Sequence, residues 1–194
     1  MKNIAVLVSG SGTNLQALIN AQIDGIIKSG KITLVISNNP DAYALTRAKN
    51  NGIKTAVINK KELCDKFEDE LIKTLEDNHI DFIVLAGFMC ILSEKFTSHF
   101  KDRIINVHPS LIPSFCGKGF YGLHVHEAAL EYGVKVTGAT VHFVNEIPDG
   151  GKIIMQKAVN ILENDTPETL QKRVMEEAEW KILPLALEKV CSKL

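Results

Sequence analysis

Three short segments of this 194-residue chain hold side chains whose types and spacing suit chemistry. The first is Gly10-Ser11-Gly12-Thr13-Asn14, which follows an apolar run and precedes a helix-period stretch. A strand that enters a glycine turn and then a helix aims free N–H groups and a positive helix end at the turn, where a phosphate fits. A dinucleotide fingerprint would place a third glycine where Leu15 stands, and a mononucleotide P-loop would need Gly-Lys-Ser/Thr, which is absent. The segment therefore reads as a cradle for a single phosphate or, with equal weight, as a tight turn that binds nothing.

The second segment is Asn106-Val107-His108-Pro109-Ser110-Leu111-Ile112-Pro113, leaving the carboxyl end of a strand-like run. Alternation sets Asn106 and His108 on one side of the chain. An amide donor and an imidazole converging beyond a strand end suit a carbonyl oxygen that is gaining negative charge. Taken alone, a histidine beside a proline is more commonly a packed loop residue. The third segment is Asn145-Glu146-Ile147-Pro148-Asp149-Gly150-Gly151. Its glycines allow close backbone approach, so Asp149 can be held against another group; Asp-Gly is equally an ordinary turn pair. His124 and His126, two apart, have no evident third ligand, and no metal site is expected.

These segments need elements to position them. Apolar runs at Ile4 to Ser9, Ile32 to Ser37, Thr55 to Ile58, Phe82 to Ala86 and Ile104 to Val107 read as strands. Helix-period stretches separate them: Asn14 to Ser29, Asp41 to Asn51, Lys61 to Asn78 and Ser93 to Phe100, with Gly52 a stop for the second. That alternation predicts βαβ units and a parallel sheet with helices on both faces. Ligands then belong at the carboxyl ends of the strands. Beyond a glycine and aromatic loop, Ser114 to Leu123, a helix is expected near Val125 to Tyr132. Two strands follow, Lys135 to Val144 and Lys152 to Asn160, whose short connection predicts an antiparallel hairpin. The last helix should begin at Thr166-Pro167-Glu168, where threonine caps, proline suits the first position and an acidic residue suits the positive end. Pro184 is expected to interrupt or kink it.

No repeat, linker or low-complexity tract divides the chain, so one domain over 1–194 is expected, with a core large enough to need no staples. No run of about 18 apolar residues is present, and the N-terminus does not read as a signal peptide. Cys64, Cys90, Cys116 and Cys191 form no CxxC pair and are expected as reduced thiols in a cytoplasm. With 22 Lys+Arg against 23 Asp+Glu, neither nucleic acid nor an anionic membrane is an expected partner.

Together the three segments resemble the phosphoribosylglycinamide formyltransferase family. Gly10 to Asn14 match at the start, Ala86-Gly87-Phe88-Met89 after the fourth strand, Asn106 to Pro113 in the middle and Asp149-Gly150-Gly151 late, so the resemblance spans nearly the whole chain. The His-Pro-Ser-Leu-x-Pro element is shared with methionyl-tRNA formyltransferase and formyltetrahydrofolate deformylase; the phosphate turn and the short length select the purine enzyme.

The resemblance implies a single-domain, Rossmann-like α/β fold, with a mostly parallel twisted sheet, helices on both faces and an antiparallel C-terminal portion. It implies formyl transfer from 10-formyltetrahydrofolate, as co-substrate and without a metal, to the amine of glycinamide ribonucleotide in purine biosynthesis, by a monomer or weak homodimer. Asn106, His108 and Asp149 match the catalytic trio. Gly10, Ser11, Gly12, Thr13 and Asn14 match the substrate phosphate turn, and Glu179 the acidic residue near the glycinamide end. Met89, Cys90, Ile91 and Leu92, with Asn106, Asn145, Glu146, Ile147, Pro148 and Thr140, match the folate pocket. His142 lies near it, although a packed strand histidine is the simpler reading of that residue alone.

The chain departs from the family pattern at four places. Cys90 stands where many relatives carry a basic residue, Cys64 where some place an arginine near the folate, the 114–122 loop is longer than in some relatives, and the helix before Glu179 counts one residue more. The chemistry implied is amine attack on a formyl carbon, with Asn106 and a protonated His108 stabilising the oxyanion and Asp149 raising the His108 pKa. A deformylase that hands the formyl group to water is the nearest alternative. A tRNA formyltransferase would be expected to carry a basic surplus, and a flavodoxin-like binding module would bind without turnover.

Overall fold

The computed structural model describes residues 1–193. The first half runs β1 (Lys2–Val8), α1 (Thr13–Ile23), β2 (Gly30–Ser37), α2 (Tyr43–Asn50), β3 (Lys54–Val57), α3 (Lys60–Leu63), α4 (Phe67–Asp77) and β4 (Phe82–Leu85). It continues through α5 (Glu94–His99), β5 (Ile104–His108), α6 (Leu123–Tyr132), β6 (Val136–Phe143) and β7 (Ile153–Asn160). The chain then forms α7 (Pro167–Val174), a π-helical turn (Met175–Glu179) and α8 (Trp180–Cys191).

All seven strands share one sheet in the order β3-β2-β1-β4-β5-β6-β7. The first five pair in parallel, whereas β5 with β6 and β6 with β7 pair antiparallel. Alternation divides the strand side chains between two cores. Ile4, Val6 and Val8 pack with Leu15, Leu18, Leu183 and Leu187 on one face, while Ala5 and Leu7 pack with Phe67, Leu71 and Phe96 on the other. Parallel strands covered on both sides lose their polar positions, which is why the five runs read as nearly continuous apolar stretches. Because β2 and β4 flank β1, the chain leaves β1 toward one edge and later returns on its other side. A crevice opens at such a switch, outside the carboxyl ends of the strands, and the connections after β1 and β4 border it.

Three expected elements differ. The first helix ends at Ile23 instead of near Ser29, because Gly25 turns left-handed at φ 71° and the Ile26 N–H reaches back to the Ala21 carbonyl at 2.8 Å. The Lys61 to Asn78 stretch is broken at Cys64, which adopts φ 47° and opens a short 3₁₀ turn before α4. Pro184 lies inside a continuous α8. A proline ring crowds the carbonyl four residues back, and the widened π turn directly upstream is where the helix departs from regular winding. Thr166 caps α7 as expected, accepting from the Thr169 N–H with Pro167 at the first position.

Glu188 of α8 closes the other end of this layer. Its carboxylate accepts the N–H groups of Lys28 and Ser29 at 2.8 and 2.9 Å and the Ser29 hydroxyl at 2.7 Å. Glu188→Ala is expected to lower stability by about 1–2 kcal/mol, since bonds to a charged acceptor are lost while β2 stays paired. The denaturant midpoint reports it, and an unchanged midpoint would mean that water replaces the clamp at no cost.

Candidate active site

Strand β1 delivers the chain into Ser9 to Asn14, and these residues with Ala86, Gly87 and Met89 line a cavity of about 260 Å³. Gly12 requires glycine twice over: its φ is +73°, and a β-carbon there would lie 2.6 Å from the Ala44 β-carbon. The turn therefore fits tightly against α2. Asn14, at the start of α1, donates through Nδ2 to Glu179 at 2.7 Å. The π turn, which adds one residue to regular helical winding, ends at Glu179 and leaves that carboxyl 6% exposed. Burial pushes its pKa up to about 7, against the lowering effect of Asn14.

Strand β5 ends on the second segment. Asn106 and His108 lie two apart on β5 and so share one face of the sheet, and antiparallel pairing sets Asn106 opposite His142 and His108 opposite Thr140. The His142 Nδ1–H donates to the Phe143 carbonyl at 2.8 Å, leaving Nε2 to accept from the Asn106 amide at 3.3 Å. Asp149 stands between two imidazoles, 3.5 Å from His108 Nδ1 through one oxygen and 3.5 Å from His142 Nε2 through the other. It also accepts the Gly117 N–H at 2.8 Å.

The glycines beside Asp149 serve close approach. A β-carbon on Gly151 would fall 1.7 Å from the Phe143 carbonyl oxygen and one on Gly150 would fall 2.7 Å from Ile147. The left-handed residue of the turn is Asp149 itself, at φ 56°.

The electrostatics correct one expectation. Burial lowers the His108 pKa from its ordinary value and outweighs the raising effects of Asp149 and the Phe115 carbonyl, the opposite of the expected direction. The His108 Nε2–H donates to the Phe115 carbonyl at 2.8 Å. Burial alone would raise the Asp149 pKa, but the neighbouring His142 and His108 rings and the Gly117 N–H together hold it below its ordinary value. Burial and then Asp149 push the Cys116 thiol up, so this neighbour is no ready nucleophile.

Two further cavities meet at this cluster. One, of about 140 Å³, has walls of Leu85, Phe88, Ile91, Leu92 and Val144 and runs along Asn145 to Asp149, touching Cys90, Asn106 and His142. The other, of about 670 Å³, holds Met89, Asn106, His108 and Asp149 and is covered by the 117–122 loop with Lys118. Gly87 and Met89 border both this cavity and the phosphate turn.

Thr140 lines neither cavity. It is fully buried, donates to the Ser110 carbonyl at 2.7 Å and accepts the Ile112 N–H at 3.1 Å, so it braces the strand-end loop from behind the expected pocket. His124 and His126 diverge: the first is exposed and bonded to Glu127 at 2.8 Å, the second buried with its pKa lowered to about 4 by burial and then by His108. Among the described residues no group of three or more His, Cys, Asp or Glu is arranged to hold a metal ion.

Residues 2–187 match the family model described as formyl transferase. The chain belongs to the formyl transferase family. This formyl transferase is 45% identical over 189 residues to the phosphoribosylglycinamide formyltransferase of Haemophilus influenzae, covering 96% of the chain and 86% of that protein. It is 39% identical to the chloroplastic phosphoribosylglycinamide formyltransferase of Arabidopsis thaliana, covering 99% of the chain and 66% of that protein. Among solved structures, glycinamide ribonucleotide transformylase 1 from Symbiobacterium toebii superposes with a TM-score of 0.92 at 40% identity, over 100% of the chain and 89% of that structure. The likeness extends through the sheet, including its antiparallel end.

Sequence patterning undervalued one residue of the cluster around Asp149. His142 looked like a packed strand residue, and only the β5–β6 register sets it against Asn106. The signal was its place two residues after Thr140 on a strand bound to pair with Asn106.

Proposed function

We propose that the protein transfers the formyl group of 10-formyltetrahydrofolate to the amine of glycinamide ribonucleotide, with Asn106, His108 and Asp149 as the reacting residues. The observation that carries this reading is the cluster of an amide, two imidazoles and an ionised carboxylate that borders an apolar slot and lies in a larger cavity shared, through Gly87 and Met89, with the phosphate-sized turn. The slot has apolar walls of Leu85, Phe88, Ile91, Leu92 and Val144 for the faces of a flat heteroaromatic ring and runs along the polar stretch Asn145 to Asp149, the chemistry a pterin requires. In this reading the N-terminal half binds the ribonucleotide, the C-terminal half binds the folate, and both meet at β5.

Each residue has a step. Asn106 has a second amide hydrogen free of His142 and donates it to the formyl oxygen as the amine attacks. His108 gives up the Phe115 carbonyl and turns its Nε2–H to the same oxygen as a second donor. Asp149, ionised, takes the proton lost by the attacking nitrogen and passes it to the departing folate nitrogen, directly or through water.

No helix among the described residues is long and apolar enough to cross a membrane. A cytoplasmic monomer or weak homodimer, acting on small molecules without nucleic acid, completes the reading. The test is purified protein with 10-formyltetrahydrofolate, following folate product and formate with and without glycinamide ribonucleotide. Folate product that depends on the amine, without matching formate, is the expected result. Formate release independent of the amine would make this a deformylase and overturn the proposal.

A further inference from the structure

The phosphate turn is shaped from outside by a residue far from it in sequence. We infer that Arg47 of α2 is a positioning residue for the phosphate monoester of the substrate; this rests on the reading of Gly10 to Asn14 as a phosphate cradle.

None of the side chains lining the cradle is basic. The dianion must therefore be held by main-chain N–H groups and by Ser, Thr and Asn side chains, and the direction of those N–H groups decides affinity. Two successive peptide planes of the turn are pinned from α2. The Gly10 carbonyl accepts the Ala44 N–H at 3.1 Å, and the Ser11 carbonyl accepts Arg47 Nε at 2.9 Å. In a trans peptide the N–H points opposite to the C=O. Fixing those two oxygens toward α2 thus turns the N–H groups of Ser11 and Gly12 away from it, as the concave array that binds anions requires.

Arg47 is itself held. Its guanidinium donates to Gln16 Oε1 in the first turns of α1 at 3.2 Å and lies 5.0 Å from the centre of the Tyr43 ring. A planar fork joining the turn, α1 and α2 suits arginine better than lysine, whose ammonium cannot make these contacts in one plane. Bonded to the turn but not lining the cavity, it also leaves a positive charge one peptide behind the bound anion.

Steady-state formyl transfer tests the inference. Arg47→Ala is expected to raise the KM for the ribonucleotide about ten- to thirtyfold, the scale of a lost charge-assisted hydrogen bond. The kcat and the KM for the formyl folate should stay within about twofold. Arg47→Lys should recover part of the loss. Lys49→Ala, which removes an exposed charge from the same helix without touching the turn, should change nothing.

Ribose 5-phosphate serves as a binding probe for wild type and variants. Wild type that binds it while Arg47→Ala does so much more weakly supports the inference. Equal binding by both, or a fall in melting temperature without a selective rise in the ribonucleotide KM, overturns the role of Arg47 and leaves the cradle standing. Failure of wild type to bind the probe or to have its turnover inhibited by it would remove the cradle reading, and the inference with it.

Discussion

His108→Ala is expected to lower the turnover of formyl transfer about 10²- to 10³-fold, the cost typical of removing one donor from a developing oxyanion. The imidazole is 4% exposed and sits between the Phe115 carbonyl and Asp149, so the variant removes a donor and leaves the carboxylate on its remaining partners. Gly117 and His142 still hold Asp149, and the fold around it should persist. Asn106→Ala should cost a similar amount. The double variant should lose less than the product of the two, because both groups act on one oxygen. Single-turnover transfer separates this from product release; near-normal turnover in either single variant would remove that residue from the chemistry.

Glu179→Gln is expected to change how stability depends on pH. The carboxyl is buried, and its pKa is raised from an ordinary 4.5 to about 7. Burial disfavours the ionised form. Protonated, the carboxyl can also donate to Asn14 Oδ1, a buried acceptor otherwise without a partner among the described residues. A group whose folded pKa lies above its unfolded value adds stability that is complete below about pH 4.5 and is lost as pH rises to about 7. A rise of that size corresponds to about 3 kcal/mol. Glutamine cannot ionise, so the variant should gain on wild type by about that amount between about pH 4.5 and pH 8. Chemical denaturation at several pH values reads the difference directly. Parallel stability curves for the two proteins would mean that Glu179 ionises without penalty in the fold.

Much of this molecule was written locally. Apolar runs without polar alternation read as strands covered on both faces, and β1, β2, β4 and β5 lie in those runs, whereas the more exposed β3 and β7 form the sheet edges. Thr166-Pro167-Glu168 carried its own start signal, and the short connection after Val144 announced the antiparallel hairpin. The four motifs marked the family because turns, caps and strand ends are set by neighbours within a few residues.

Other features depended on which elements pack together. The sheet order sets β1 between β2 and β4, and the strand runs are silent about neighbours because apolar residues pair with any partner. That order brings α2 beside the phosphate turn, so Arg47 and Ala44 acquire a role that their own helix does not announce. The β5–β6 register sets His142 against Asn106, and puts Thr140 behind the strand-end loop instead of in the folate pocket it was expected to line. The direction of the His108 pKa turned on burial, which outweighs the adjacent carboxylate. Residue types, turns and strand order along the chain were thus determined by sequence alone, since they follow from covalent geometry and local solvation. Proton affinity, main-chain direction at the cradle and the membership of the site were decided by tertiary structure, because each depends on groups tens of residues away that only packing brings within a few ångströms.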